Sequence, residues 1–252
     1  MNTLLSEISA FIDALLDIQN VPDWPNALNG LQLANLGEVA SIGAAVDAGE
    51  PALRKAAEAG VDLLIVHHGL FWSGLQPLTG PAFRKFSLAI HRGIAVYSAH
   101  LPLDIHPTLG NNIRLAEAIG ITSPEPFFFE KGNFLGLKAA VSMPVADLAA
   151  RVEKAVAGPV KVIRGGPAEV ASVGIVTGGA GGEIARAAAE GVDTFITGEA
   201  PHWAAVAAEE LGVNLLLAGH YATETFGVKA LAARVADKFG LPWQFIDHPT
   251  GL

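Results

Sequence analysis

The chain has 252 residues, a formal net charge of −9 and no cysteine, and 51% of it is hydrophobic. That is enough apolar material for one large domain or two lobes of roughly 125 residues each. The 16 Lys and Arg are never gathered in a run, which argues against a phosphate-binding field for nucleic acid, and without cysteine any bound metal must rest on His, Asp and Glu.

The N-terminal stretch MNTLLSEISAFIDALLDIQ lacks a basic flank, and Glu7, Asp13 and Asp17 interrupt its apolar residues. It predicts an amphipathic helix, not a signal peptide. No run of about 18 apolar residues follows, so no transmembrane span is expected. The broad class is a cytoplasmic enzyme or binding protein.

Residues 39–72, VASIGAAVDAGEPALRKAAEAGVDLLIVHHGLFW, align without a gap on residues 170–203, VASVGIVTGGAGGEIARAAAEGVDTFITGEAPHW, with 11 of 34 positions identical. Each copy reads as an apolar strand, an Ala-rich helix, Gly-Val-Asp and a second apolar strand: a βαβ unit with a parallel strand pair. A weaker match follows, GIAVYSAHLPLD (93–104) against GVNLLLAGHYATE (212–224). In both, a strand runs out into a His followed four residues later by an acid, giving His100 with Asp104 and His220 with Glu224. The expected fold is α/β, two similar lobes built by internal duplication with helices flanking the sheets. The divide is expected near SPEPFFFEKGNF, as residues 1–125 and 126–252.

The repeat also separates scaffold from chemistry. Gly60 and Gly191, Asp62 and Asp193, and Trp72 and Trp203 recur in both copies, which assigns them to the fold: a helix stop, a turn before the strand, an aromatic packed over the strand end. His67-His68 stands where the second copy has Gly198-Glu199.

In α/β folds ligands gather at the carboxyl ends of parallel strands. His67, His68, His100, Asp104, His220 and Glu224 all follow strand-like runs. Imidazoles and carboxylates in this number suit two first-row divalent cations, which about 3.5–4 Å apart can share a carboxylate and a hydroxide. At i, i+4 spacing in a helical turn, His220 and Glu224 reach the same cation.

Other candidates carry less. TGGAGGE (177–183) lies between strand and helix, where Gly178 and Gly179 would suit a substrate phosphate or carbonyl, but it is neither a P-loop nor GxGxxG and reads first as a tight turn. Glu199 and His202 are candidates to line the cleft. Ser98 and His100 lack the further signals of a Ser-His-Asp triad. His91, His106 and His248 read as ordinary surface histidines. PFFF (126–129) is open to either an interface or a core role.

VDLLIVHHGLFW, SAHLPLD, GNNIRLAEAIG, TGGAGG, GVDTFITGE and GHYATETFGVKAL, together with the early NALNGLQLANLGEV, resemble in order the motifs of the NIF-three-like family, whose members are often labelled GTP cyclohydrolase I type 2 homologues. The resemblance implies a two-lobed α/β protein with a dinuclear metal site in the cleft between lobes, assembled as a toroidal homohexamer. Carried across by motif, it makes His67, His68, Asp104, His220 and Glu224 the metal ligands, with Glu224 bridging, and His100 a catalytic acid or base. Gly178, Gly179 and Glu199 remain the substrate-binding candidates. Many relatives carry an inserted domain between the lobes, for which residues 130–169 are too short, so this is the short form. The expected function is a metal-dependent hydrolase acting on a small nucleotide or heterocycle through a metal-bridging water, with Zn, Fe, Mn, Co or Ni as the two cations. The alternative is a non-enzymatic protein that stores, delivers or senses metal. Neither nucleic acid nor membrane is expected as a partner.

Overall fold

The first repeat folds as its pattern predicts. In the computed structural model, which describes residues 3–252, strand Ile42–Asp47, helix Glu50–Glu58 and strand Leu63–His68 form a parallel βαβ unit with Ile42 opposite Leu63. Pro51 lies in the helix's first turn, and Gly60, at φ +68, ends the turn that follows it. The strands are apolar at successive positions because helices cover the parallel sheet. Ile42, Ala44–Val46 and Leu63–Val66 are all buried, and Leu53, Ala56, Leu64, Val66 and Val96 share one core cluster. Burying each larger aliphatic contributes about 1.5–3 kcal/mol.

The second repeat has the same construction. Strands Glu169–Ile175 and Thr194–Thr197 pair in parallel with Val173 opposite Thr194, and Asn214–Leu217 continues the parallel set. In both copies the paired residues lie 21 positions apart. The repeated acids do the same work: an Asp62 oxygen accepts the amides of Ala40 and Ser41 at 2.8 and 3.1 Å, and an Asp193 oxygen accepts those of Ala171 and Ser172 at 2.8 and 3.1 Å.

The tryptophans depart from expectation. Neither is buried: Trp203 is 55% exposed, and Trp72 packs its ring 4.8 Å from His68 and 4.6 Å from His100. Trp72 thus borders the candidate ligands instead of roofing an apolar strand end. Of PFFF, Phe127 and Phe128 enter the core while Phe129 stays exposed. Phe128, at φ +64, breaks the alternation so that two successive rings point inward.

The compact units also divide elsewhere than at residue 126. One comprises the chain up to Leu103 with Gly227–His248; the other is Asp104–Phe226 with Pro249–Leu252. Strand Trp243–Phe245 pairs in parallel with Ile42–Asp47, which returns the C-terminal segment to the first unit's sheet. Residues 104–125 go to the second unit because Leu115, Ala116, Ile119 and Ile121 pack in its core with Val145 and Val173. The first unit's sheet has the order 243–245, 42–47, 63–68, 95–98, 30–33, with only the last strand antiparallel. The second unit's six strands flank its three parallel ones with antiparallel neighbours. The N-terminal helix forms at Leu5–Leu16, burying Leu5, Ile8, Ile12 and Leu16. No helix among the described residues is long and apolar enough to cross a membrane.

Candidate metal centre

In the first unit the Leu63–His68 strand ends on the two adjacent histidines, and both are buried. His67 Nδ1 donates to the Ala99 carbonyl at 2.9 Å, and His68 Nδ1 donates to Asp47 Oδ1 at 2.9 Å. Asp47 ends the neighbouring strand directly opposite His68. His100, just beyond strand Ala95–Ser98, donates from Nδ1 to Asp23 at 2.9 Å. A carbonyl or carboxylate can only accept, so all three rings carry a proton on Nδ1, and Nε2 is the atom that would ligate a cation. One ligand atom from each of His67, His68 and His100 lies within 4.8 Å of the others.

The supports of this cluster are themselves braced. Asp23 accepts from the amides of Trp24 and Leu101 and from Asn29 Nδ2 at 2.6, 2.9 and 2.7 Å. Burial alone would push its carboxyl up, but the His100 bond and charge and the Asn29 and Trp24 donors hold it below the ordinary 3.8. Asn29 Oδ1 accepts the His100 amide, and Gln32 Oε1 accepts the Leu70 amide at 2.6 Å. The Asn-Gly-Leu-Gln segment therefore fixes the loop that follows the histidine pair. Ser98 Oγ donates to the His67 carbonyl at 3.3 Å, which removes it from any triad.

In the second unit, Gly219 at φ +88 opens a one-turn helix, His220–Thr223. His220 and Glu224 lie on one face of it, with Nε2 3.2 Å from Glu224 Oε2, as the i, i+4 spacing predicts. His220 Nδ1 donates to Glu199 Oε1 at 2.8 Å. Glu224 is only 3% exposed. Burial disfavours a charged imidazole, but the bonds and charges of Glu224 and Glu199 outweigh it and push His220 up to about 9. Metal-free, the ring is a cation that neutralises a buried carboxylate.

The glycine loop is tied into this arrangement by four of its amides. The Thr177 amide goes to Asn112 Oδ1, that of Gly178 to Thr223 Oγ1, Ala180 to Thr197 Oγ1 and Gly181 to the Glu199 carbonyl. The Gly178 amide is thus engaged inside the fold, on Thr223 Oγ1 at 3.1 Å. Gly178, at φ +71, is glycine because a methyl there would overlap Glu224 Oε1. Glu199 Oε1 accepts from His220 Nδ1 and so orients that ring. Asp104 accepts from Asn111 Nδ2 at 2.7 Å and lines a cavity of about 420 Å³ in the second unit.

Asp23 and Asp47 were missed by sequence reasoning. Asp47 had a signal, since it ends the strand before the His-His strand; Asp23 lies in an irregular segment and had none. Every candidate histidine ligand has its Nδ1 anchored by a carbonyl or carboxylate, the arrangement that orients metal-binding imidazoles. Nitrogen and oxygen donors of this kind fit borderline divalent cations such as Zn, Mn, Fe, Co or Ni.

The DUF34/NIF3 family (NGG1p interacting factor 3) matches residues 3–250. Proteins named GTP cyclohydrolase 1 type 2 homolog are similar over nearly the whole chain. That of Deinococcus radiodurans is 42% identical over 248 residues, 98% of this chain and 94% of the relative. That of Pyrococcus horikoshii is 40% identical over 251 residues, 98% of each. Of solved structures, TTHA1606 from Thermus thermophilus matches with a TM-score of 0.91 at 41% identity, covering 99% of this chain and 100% of that one. Reduced HcgD from Methanocaldococcus jannaschii matches with 0.87 at 27% identity, covering 98% and 99%.

Proposed function

The chain belongs to the DUF34/NIF3 family, and from its two sets of anchored imidazoles we propose a metal-dependent hydrolase with one dinuclear centre, served by His67, His68, Asp104, His220 and Glu224. The observation that carries this reading is the Nδ1 anchoring of His67, His68 and His220, at 2.9, 2.9 and 2.8 Å, which aims each Nε2 for coordination. Divalent cations there would supply Lewis acidity toward a carbonyl, ring carbon or phosphoryl group and lower the pKa of water. Asp47 and Glu199 keep their imidazoles in register, and the buried Glu224 is the carboxylate suited to bridge. His100, held by Asp23, is placed to hold or move a proton at Nε2. The relatives' shared cyclohydrolase label favours a small nucleotide or heterocycle as substrate. The two repeats read as an internal duplication, and the family resemblance favours a toroidal homohexamer.

The test is metal analysis of the purified chain after reconstitution with Mn, Fe, Co, Ni or Zn, followed by a hydrolysis screen that includes GTP. The reading expects two cations per chain, and turnover that Glu224→Gln abolishes while the assembly persists. A chain that takes up no metal overturns it. Retained metal with no turnover above the Glu224→Gln background favours the non-enzymatic, metal-holding alternative.

A further inference from the structure

The cavity that Asp104 lines has a chemistry the metal ligands do not explain. Its volume of about 420 Å³ is in the range of small-molecule sites. Ile113, Pro126, Phe134 and Leu137 give it flat apolar walls, and no Lys or Arg among the described residues lines it. With Asp104 as its charged member, the cavity is unsuited to a phosphate and suited to a neutral ring.

Three more polar side chains line it: His106, Asn112 and Asn133. Asn112 is spent within the fold, its Oδ1 accepting the Thr177 amide at 2.9 Å and its Nδ2 donating to the Leu135 carbonyl at 2.8 Å. His106 is different. Its Nδ1 accepts the amides of Thr108 and Leu109 at 3.3 and 3.1 Å, so the proton must sit on Nε2 and the ring's other edge is a donor. Among the described residues Asn133 donates to the Lys131 carbonyl at 3.4 Å, at the weak end of hydrogen bonding, and its carboxamide offers both an acceptor and a donor.

We infer that this cavity binds the heterocycle of the substrate and reads a lactam edge, with His106 Nε2–H donating to the ring carbonyl and the Asn133 carboxamide accepting from the adjacent ring N–H. The inference rests on the proposed hydrolase, because it places the ring beside a carboxylate that reading assigns to a metal. An amino-substituted ring with the reversed pattern sets its own donor against His106 Nε2–H; the Asn133 carboxamide turns to suit either edge, so the discrimination lies at His106.

The test titrates the full, chelator-treated chain with inosine, which has the lactam edge, and with adenosine, which has the reverse pattern, by calorimetry or saturation-transfer NMR. Inosine should bind roughly tenfold or more tighter. His106→Asn keeps an acceptor near the Nδ1 position for the Thr108 and Leu109 amides but removes the Nε2 donor; it should weaken inosine by roughly five- to tenfold and erase the preference. His106→Gln, which restores a donor, should recover most of the loss. Equal or tighter adenosine binding, no saturable inosine binding, or an unaffected His106→Asn variant overturns the inference. Metal content measured on the same protein after reconstitution with divalent cations reports separately on the hydrolase reading.

Discussion

Placing a methyl group at Gly178 tests whether the glycine loop exists to admit the Glu224 carboxylate. Gly178 holds φ at +71, where an L-residue costs roughly 1–2 kcal/mol. The added carbon would overlap Glu224 Oε1 and stand 3.4 Å from His220 Nε2. Glu224 is nearly buried, so the carboxylate would have to retreat by on the order of 1 Å, several times the roughly 0.2 Å tolerance of a metal–ligand distance. Gly191→Ala is the control: its φ is +86, yet nothing lies within 4 Å of the new carbon. Gly191→Ala should lose about 1–2 kcal/mol in denaturant unfolding of the chelated protein, and Gly178→Ala at least as much, because the overlap with Glu224 adds to the backbone cost. Only Gly178→Ala should lose metal affinity, by roughly 10- to 100-fold in a calorimetric titration. Wild-type affinity and stoichiometry in Gly178→Ala would refute the assignment of the loop.

The remaining predictions follow from the same geometry. Asp62→Ala and Asp193→Ala each release two backbone amides, so each should destabilise the chain by about 1–3 kcal/mol without altering metal stoichiometry, checked by urea unfolding and elemental analysis. His220 is protonated in the metal-free protein up to about pH 9, so a cation must displace its proton. Metal affinity should therefore rise with pH until about 9 and flatten above it, and calorimetry at pH 7.5 in buffers of different ionisation heat should detect the released proton. Because Trp72 packs against His68 and His100, binding of Co or Mn should quench tryptophan fluorescence, and Trp72→Phe should remove most of that change.

The repeats and the candidate ligand motifs were legible because their signals are local. Apolar runs closed by Gly-Val-Asp specify a strand and its stop, and the i, i+4 spacing places His220 and Glu224 on one helical face through backbone geometry alone. The gap-free alignment also assigned Asp62 and Asp193 to the scaffold, and their identical bonds agree. The same logic failed for Trp72, because matching positions share a backbone path but not the groups packed around it. What holds each imidazole depended on the folded chain: Asp23 lies 77 residues from His100, and Asn112 reaches the glycine loop across 65. The return of strand 243–245 to the first sheet was likewise hidden, since strand pairing joins segments far apart in the chain. Periodicity and turn residues act through neighbouring peptide units and can be read in order along the sequence. Which carboxylate faces which ring, and which strand lies beside which, emerges only when distant segments share a core.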